Sequence, residues 1–242
     1  MGEGVSSRRV RAIFRKELRE YRHNGFIVWT MAIFPLIFLI QPLIVVFVLP
    51  ASASSELEHG HLLLYMLGIP ALVPAAVAAY AVVGERQQGT LEPVLTTPVR
   101  REEFLLGKAL AALVPSLAIA YAVYAFFLAC VWLFAQPAMA STLLHPPDVL
   151  AQLLFTPLLA AWSIWVGIAI SARASDFRVA QQLGILASLP AALVAALIAF
   201  NVIHATLGLA LTLAAALLLG DALGWRITAA TFDRERLVTG TR

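Results

Sequence analysis

The sequence is poor in charge and nearly devoid of cysteine. Asp, Glu, Lys and Arg make up 13% of the 242 residues, about half the roughly 25% of a soluble domain. The chain therefore lacks the charge to cover a solvated globular surface. Its single cysteine, Cys130, rules out an internal disulfide framework and a cysteine-based metal site. The long apolar stretches contain one acid, Asp221, two residues before the predicted end of the last stretch, where it is expected to reach water. Gln41, Gln152, Gln181 and Gln182 are their notable amides. A proton- or sodium-coupled carrier ordinarily needs an embedded carboxylate or histidine, so this class is disfavoured. An intramembrane hydrolase is disfavoured as well, because Ser163 and Ser188 have no histidine at a compatible depth. The stretch Gly84 to Thr90 spells G-x-x-x-x-G-T, but it lacks the lysine and the preceding buried strand of a phosphate-binding loop. This chain is not expected to bind a nucleotide or any other cofactor.

What is abundant is apolar sequence: 61% of residues are hydrophobic and the mean hydropathy is +0.86, which marks an integral membrane protein. Six stretches are long enough to cross a hydrocarbon core of about 30 Å. They run from Phe26 to Leu49, Leu62 to Val83, Ala109 to Ala135, Val149 to Ile170, Val179 to Phe200 and Ala205 to Leu223. Together they take up more than half the chain and leave no room for a separate soluble domain. The expected fold is an all-α membrane protein with three parts: an N-terminal interfacial helix in 1–25, a six-helix transmembrane domain in 26–223 that carries a polar loop at 84–108, and a tail at 224–242.

All 17 Lys and Arg residues fall on one side of this arrangement. They lie before the first span, in the second-to-third loop (Arg86, Arg100, Arg101, Lys108), in the fourth-to-fifth loop (Arg173, Arg178) and in the tail. Basic residues near span ends are retained in the cytoplasm, so both termini are expected there. Eleven of the acids share that side, while Glu56, Glu58 and Asp148 lie outside. The formal charge of +3 thus records membrane orientation, and nucleic acid is not needed to explain it. Ala51-Ser52-Ala53 resembles a signal-peptidase site, but the preceding apolar run is much longer than the roughly 7–15 residues of a signal peptide.

Three patterns carry more local meaning. In the N-terminal segment Val10, Ile13, Phe14, Leu18 and Tyr21 recur at helical spacing among basic residues, which predicts an amphipathic helix in the membrane surface with its apolar stripe in the acyl boundary. Seven of the 13 prolines (Pro35, Pro42, Pro70, Pro74, Pro115, Pro157, Pro190) lie within apolar runs and predict kinked helices. Small residues repeat every four positions at Ala71, Ala75 and Ala79, and at Gly167 and Ser171, which allows close helix packing.

In the polar loop, Thr90 is placed to cap a short helix whose Leu91, Val94 and Leu95 share one face, with Glu92 near its positive end. Thr97-Pro98 is then expected to open a second helix that continues through Gly107-Lys108 into the third span. An apolar ridge in a charged loop suits a groove on a partner protein. The external side holds His59, His61, His145 and His204 near Glu56, Glu58 and Asp148, residue types from which a pH- or metal-sensitive gate could be built.

The chain resembles the permease subunits of ATP-binding-cassette (ABC) transporters of the type-2 membrane family. The resemblance rests on Glu85, Gly89-Thr90-Leu91-Glu92, Leu95, Thr97-Pro98, Leu106-Gly107-Lys108, the run from Ser171 to Gln182, and Phe232 to Leu237. It implies an exporter subunit, not an enzyme itself, that forms the substrate pathway with a second permease copy or homologue in the cell membrane. ATP and Mg²⁺ would be bound by a separate ATPase subunit. Glu85 to Leu95 would be the coupling helix that docks on that subunit, and Arg173, Asp176 and Arg178 would form a smaller contact. Two departures stand out: Arg100 occupies a position often held by a small capping residue, and the fifth-to-sixth connection, about Asn201 to His204, is short. The latter speaks against lipid-head and long-polymer exporters. An ion-coupled carrier and a non-transporting membrane scaffold are the alternative readings.

Overall fold

The computed structural model describes residues 5–48, 61–89, 99–137, 140, 143, 144 and 146–231. Among them there is no strand. An N-terminal helix α1 (Ser7–His23) precedes six helical segments long and apolar enough to span a membrane. These are α2 (Gly25–Val48); a 3₁₀ turn (Leu62–Leu67) continued by α3 (Gly68–Ala78) and α4 (Tyr80–Gln87); α5 (Arg101–Phe134); α6 (Pro146–Arg173); α7 (Phe177–Ala199); and α8 (Leu207–Thr231). The six predicted spans are all present. The third begins as a helix at Arg101, well before its apolar part, and the last continues to Thr231. Thr97-Pro98 lies outside the described residues.

The second span is the centre of the bundle. Every residue of α3 is buried, whereas α2, α5 and α8 each expose large apolar side chains such as Ile37, Phe126 and Leu219, as lipid-facing helices do. The sequence permits this because the two small-residue stripes meet. The Ser163 hydroxyl donates to the Ala71 carbonyl at 2.6 Å. A Cβ placed on Gly167 would stand 2.7 Å from the Ala78 Cβ and 3.1 Å from the Ala75 carbonyl oxygen. One turn further, the Ser171 hydroxyl donates to the Ala79 carbonyl at 2.7 Å. Backbone thus lies directly on side chain along the α3–α6 contact, the arrangement expected where packing rather than hydrophobic exclusion drives association.

Ser171 also breaks the second span. Its oxygen accepts the Val82 and Val83 N–H groups, both at 3.0 Å, while its proton goes to the Ala79 carbonyl. The hydroxyl is thereby wedged into the helical ladder between α3 and α4, a recognised cause of kinks. Proline lies inside α2, α3, α5, α6 and α7, as predicted, but the break nearest the polar loop is made by a serine of another helix.

The turn between α7 and α8 is closed by Asn201, whose φ of 55° is left-handed; the Val202 N–H reaches back to the Leu197 carbonyl at 2.9 Å, a common helix stop. Because α8 runs ten residues beyond Asp221, this acid is not at a helix end. Its Oδ1 is shielded from solvent, while the side chain as a whole is half-buried.

Candidate functional site at the basic end of the bundle

Three elements meet where the chain enters and leaves the segment 90–98: α1, the end of α4 and the start of α5. The apolar stripe of α1 is turned onto the protein. Val10 and Tyr21 are buried, and Ile13 and Phe14 pack against the core that contains Phe104, Leu105 and Ala109; Leu18 is half-buried. Gly107 makes the approach possible, since a Cβ there would lie 2.6 Å from Ile13 Cγ2. The stripe is therefore not left for the acyl boundary. Arg8, Arg11, Arg15, Arg19 and Arg22 remain exposed on the other side of the helix, as a headgroup-facing surface requires.

Glu17 sits in the middle of that stripe and is buried. Its carboxylate accepts from Lys108 Nζ at 2.9 Å, and Lys108, wholly buried, also reaches Glu85 Oε2 at 3.2 Å. Lys16 adds contacts to Glu85 and Glu17, and an ion pair to Glu20 at 3.0 Å. Two ammonium groups and three carboxylates from three elements thus form one network. The carboxylate oxygens of Glu17, Glu20 and Glu85 lie within 4.8 Å of one another, but Lys16 and Lys108 pair with all three and offset two of their three charges. Burial acts to lower the Lys16 pKa, yet the Glu17 charge, the hydrogen bond and charge of Glu85 and the bond to Glu20 together raise it above the ordinary lysine value. The buried Tyr21 phenol is pushed up by burial first and by Glu17 and Glu85 next, so it stays neutral.

A second anchor holds the start of α5. Glu103, fully buried, accepts from the backbone N–H of Ser6 at 2.8 Å, from that of Arg100 at 3.0 Å and from Arg9 Nη1 at 3.2 Å. The reach from Glu103 back to Arg100 is the N3 half of a capping box. It supplies the helix start that Arg100, standing where a small capping residue was expected, puts in question. On the other side of the loop, the Arg86 guanidinium donates to the Ala172 and Ala174 carbonyls, both at 2.9 Å, satisfying the end of α6 and favouring its negative pole. Gly89 ends α4 with a left-handed φ of 68°, a conformation that costs any residue with a Cβ about 1–2 kcal/mol.

Of the residues singled out in the sequence, Glu85 is buried within the ion network, and Gly89 forms the exit turn. Thr90, Leu91, Glu92, Val94 and Leu95 lie outside the described residues. In the neighbouring turn, Asp176 caps α7 by accepting the Arg178 N–H at 2.7 Å and faces Gln87 Nε2 at 3.4 Å; Arg173 and Arg178 are exposed. Below this turn Phe177 meets Phe26 at 4.9 Å and Tyr80 at 5.4 Å, edge to face. The site residues missed from the sequence are Glu17, Lys16, Lys108, Glu103 and Arg86. Glu17 had a readable signal: an acid three positions after Phe14 and four before Tyr21 falls inside the apolar stripe, and a charge there needs a partner.

The family model for the ABC-2 type transporter matches residues 8–204. The chain belongs to the ABC-2 type transporter family. The match runs from α1 through the fifth span and the turn after it, and so includes the whole ion network; α8 lies beyond it. The protein is a multi-pass membrane permease of an ABC transporter. No curated protein matches the sequence.

On the opposite end of the bundle, His61 Nδ1 lies 2.8 Å from Asp148 Oδ1, and His204 Nδ1 lies 3.2 Å from Asn201 Oδ1. His59 and His145 are outside the described residues. The permease thus places two of the four histidines, with separate partners.

Proposed function

We propose that this permease is half of an ATP-driven exporter. Two copies, or one copy and a homologue, enclose the substrate pathway, and two separate ATPase subunits dock on the loop 84–108 and on the turn at Arg173, Asp176 and Arg178. ATP and Mg²⁺ belong to those partners; this chain supplies the receiving surface and the levers. The basic end then faces the cytoplasm of the cell membrane, as the one-sided distribution of Lys and Arg supports.

The observation that carries the reading is the lock at the base of the loop. The segment 90–98 springs from Gly89 and returns at Val99. Five residues before its start stands Glu85, ten residues after its end stands Lys108, and Lys108 is bound both to Glu85 and to Glu17 of α1. A push on the segment is thus passed to the second span, the third span and α1 together. The Ser171 wedge gives the second span a break one turn above Glu85, where α4 can tilt on α3. A two-state element of this kind is what a transport cycle needs.

Replacing Leu95 by Asp tests the docking. The variant is expected to insert normally, because the loop is outside the spans, but to lose copurification of the ATPase subunit or its coupling to transport. A Leu95→Asp permease with normal coupled ATPase activity would sink the assignment.

A further inference from the structure

We propose that Asp221 of α8, beside the contact of that helix with α6, binds the charged head of a hydrophobic organic cation, which names the substrate class of the permease and rests on the transport reading above. Among the described residues every other acid of the spans, namely Glu85, Glu102, Glu103 and Asp148, lies within a turn of a helix end. Asp221 is fourteen residues from Leu207 and ten from Thr231 in α8. Its Oδ1 is shielded from solvent and accepts no hydrogen bond. A carboxylate inside a span without a partner is costly and marks a functional position. Arg226, five residues further along α8, is exposed, so the nearest cation in sequence leaves this oxygen unsatisfied.

The surroundings are aromatic. A Cβ on Gly220 would stand 2.9 Å from the Trp162 ring, and one on Gly224 would stand 3.1 Å from the Trp165 Cβ. The residues flanking Asp221 thus seat two tryptophans of α6 against bare backbone. The Trp165 ring meets Trp225 edge to face at 5.2 Å, so three of the chain's five tryptophans belong to this helix pair. A carboxylate beside indole rings suits an organic cation. The charge satisfies the acid, and the weakly hydrated head gains from the ring faces. An anion or a neutral apolar solute leaves Oδ1 as costly as before.

Access fits the same class. Asp221 lies five residues on the membrane side of Arg226, about 7–8 Å of helix rise, and Leu218, Leu219 and Leu223 beside it are exposed. A hydrophobic cation held in the inner leaflet would bring its charge to this depth with its apolar part among acyl chains. Asp221 and Trp225 both lie beyond the residues that the family model matches, as expected of groups that distinguish one transporter's substrate from another's.

The test uses the permease alone in phosphatidylcholine nanodiscs, with tetraphenylphosphonium as the probe and tetraphenylborate as its anionic isostere. Tetraphenylphosphonium should bind saturably and quench indole fluorescence. Asp221→Asn should weaken it by about tenfold or more, Asp221→Glu should retain it, and tetraphenylborate should not compete. Asp221→Glu with native affinity guards against a folding defect. Undiminished affinity in a monodisperse Asp221→Asn variant would overturn the proposal. Equal binding of tetraphenylborate would reduce the site to an apolar surface and overturn it too. Loss of binding when phosphatidylethanolamine replaces phosphatidylcholine would make the occupant a lipid headgroup, against the proposal. Because no ATPase is present, failure here leaves the docking reading intact, and failure of Leu95→Asp to uncouple leaves this one intact.

Discussion

Lys108 shows how a single side chain can decide the behaviour of a loop it does not belong to. Wholly buried between Glu17 and Glu85, it is the counter-charge that lets two carboxylates stay out of water. Lys108→Met keeps the volume but strands those carboxylates, and removing one partner of a buried pair costs about 3–5 kcal/mol. The melting temperature of the detergent-purified variant should fall sharply, and Glu17→Gln in the same background should recover part of the loss. An unchanged melting temperature for Lys108→Met would mean that the network contributes nothing. The pH dependence has a defined sign. Lys16 is raised in the folded chain from the ordinary value of 10.5. Its contribution is therefore complete below that pH and is lost only as pH rises through the higher folded value. Stability should accordingly be insensitive to this group at neutral pH and decline in strong alkali, with Lys16→Met abolishing that component of the alkaline decline.

Among the elements, the second span and α6 form the most demanding contact. Gly167 faces Ala75 and Ala78 at distances that leave no space for a side chain. Gly167→Leu should therefore force the helices apart at a cost of about 1–3 kcal/mol or more, read as loss of folded protein after solubilisation. Ser171 is a different case, because its hydroxyl is integral to the helix break. Ser171→Ala leaves the Val82 and Val83 N–H groups free to rejoin the ladder, so the folded state should survive. What should change is the break itself. Spin labels at either end of the second span should report a straighter and less variable segment, and coupling between ATP hydrolysis and transport should fall. Wild-type label distances would remove Ser171 from the mechanism.

For the whole molecule, the question is which way it sits in the membrane. With the basic end inside, a cysteine at Thr90 should be labelled by an impermeant thiol reagent only after cells are opened. One at Ser55, in the first external loop, should be labelled in intact cells. Cys130 is replaced by Ala beforehand. The reverse pattern would invert the permease and remove the ATPase from the loop. In the same orientation the His61–Asp148 pair, at 2.8 Å, is external and ties the start of the second span to the start of α6.

Much of this was written in the sequence because the bilayer imposes simple rules. A span must be long, apolar and internally hydrogen-bonded, so the stretches around α2, α5, α6 and α7 could be read from composition alone. The small-residue repeats at Ala71, Ala75 and Ala79 and at Gly167 and Ser171 likewise announced a close contact, since few other residues allow backbones to meet. The resemblance that named the family lay in local residues such as Glu85, Gly89 and Lys108. What tertiary structure alone decided was how those residues are used. Local spacing does not reveal that Lys108 pairs with both Glu17 and Glu85, far apart in the chain, because the energy of a buried charge depends on what lies opposite. It does not reveal that α1 turns its apolar stripe onto Gly107 instead of the lipid, since both choices bury the same surface. Nor does it show that Asp221 keeps an oxygen from water, because its depth is set by how far α8 continues and by the tryptophans of α6 packed beside it.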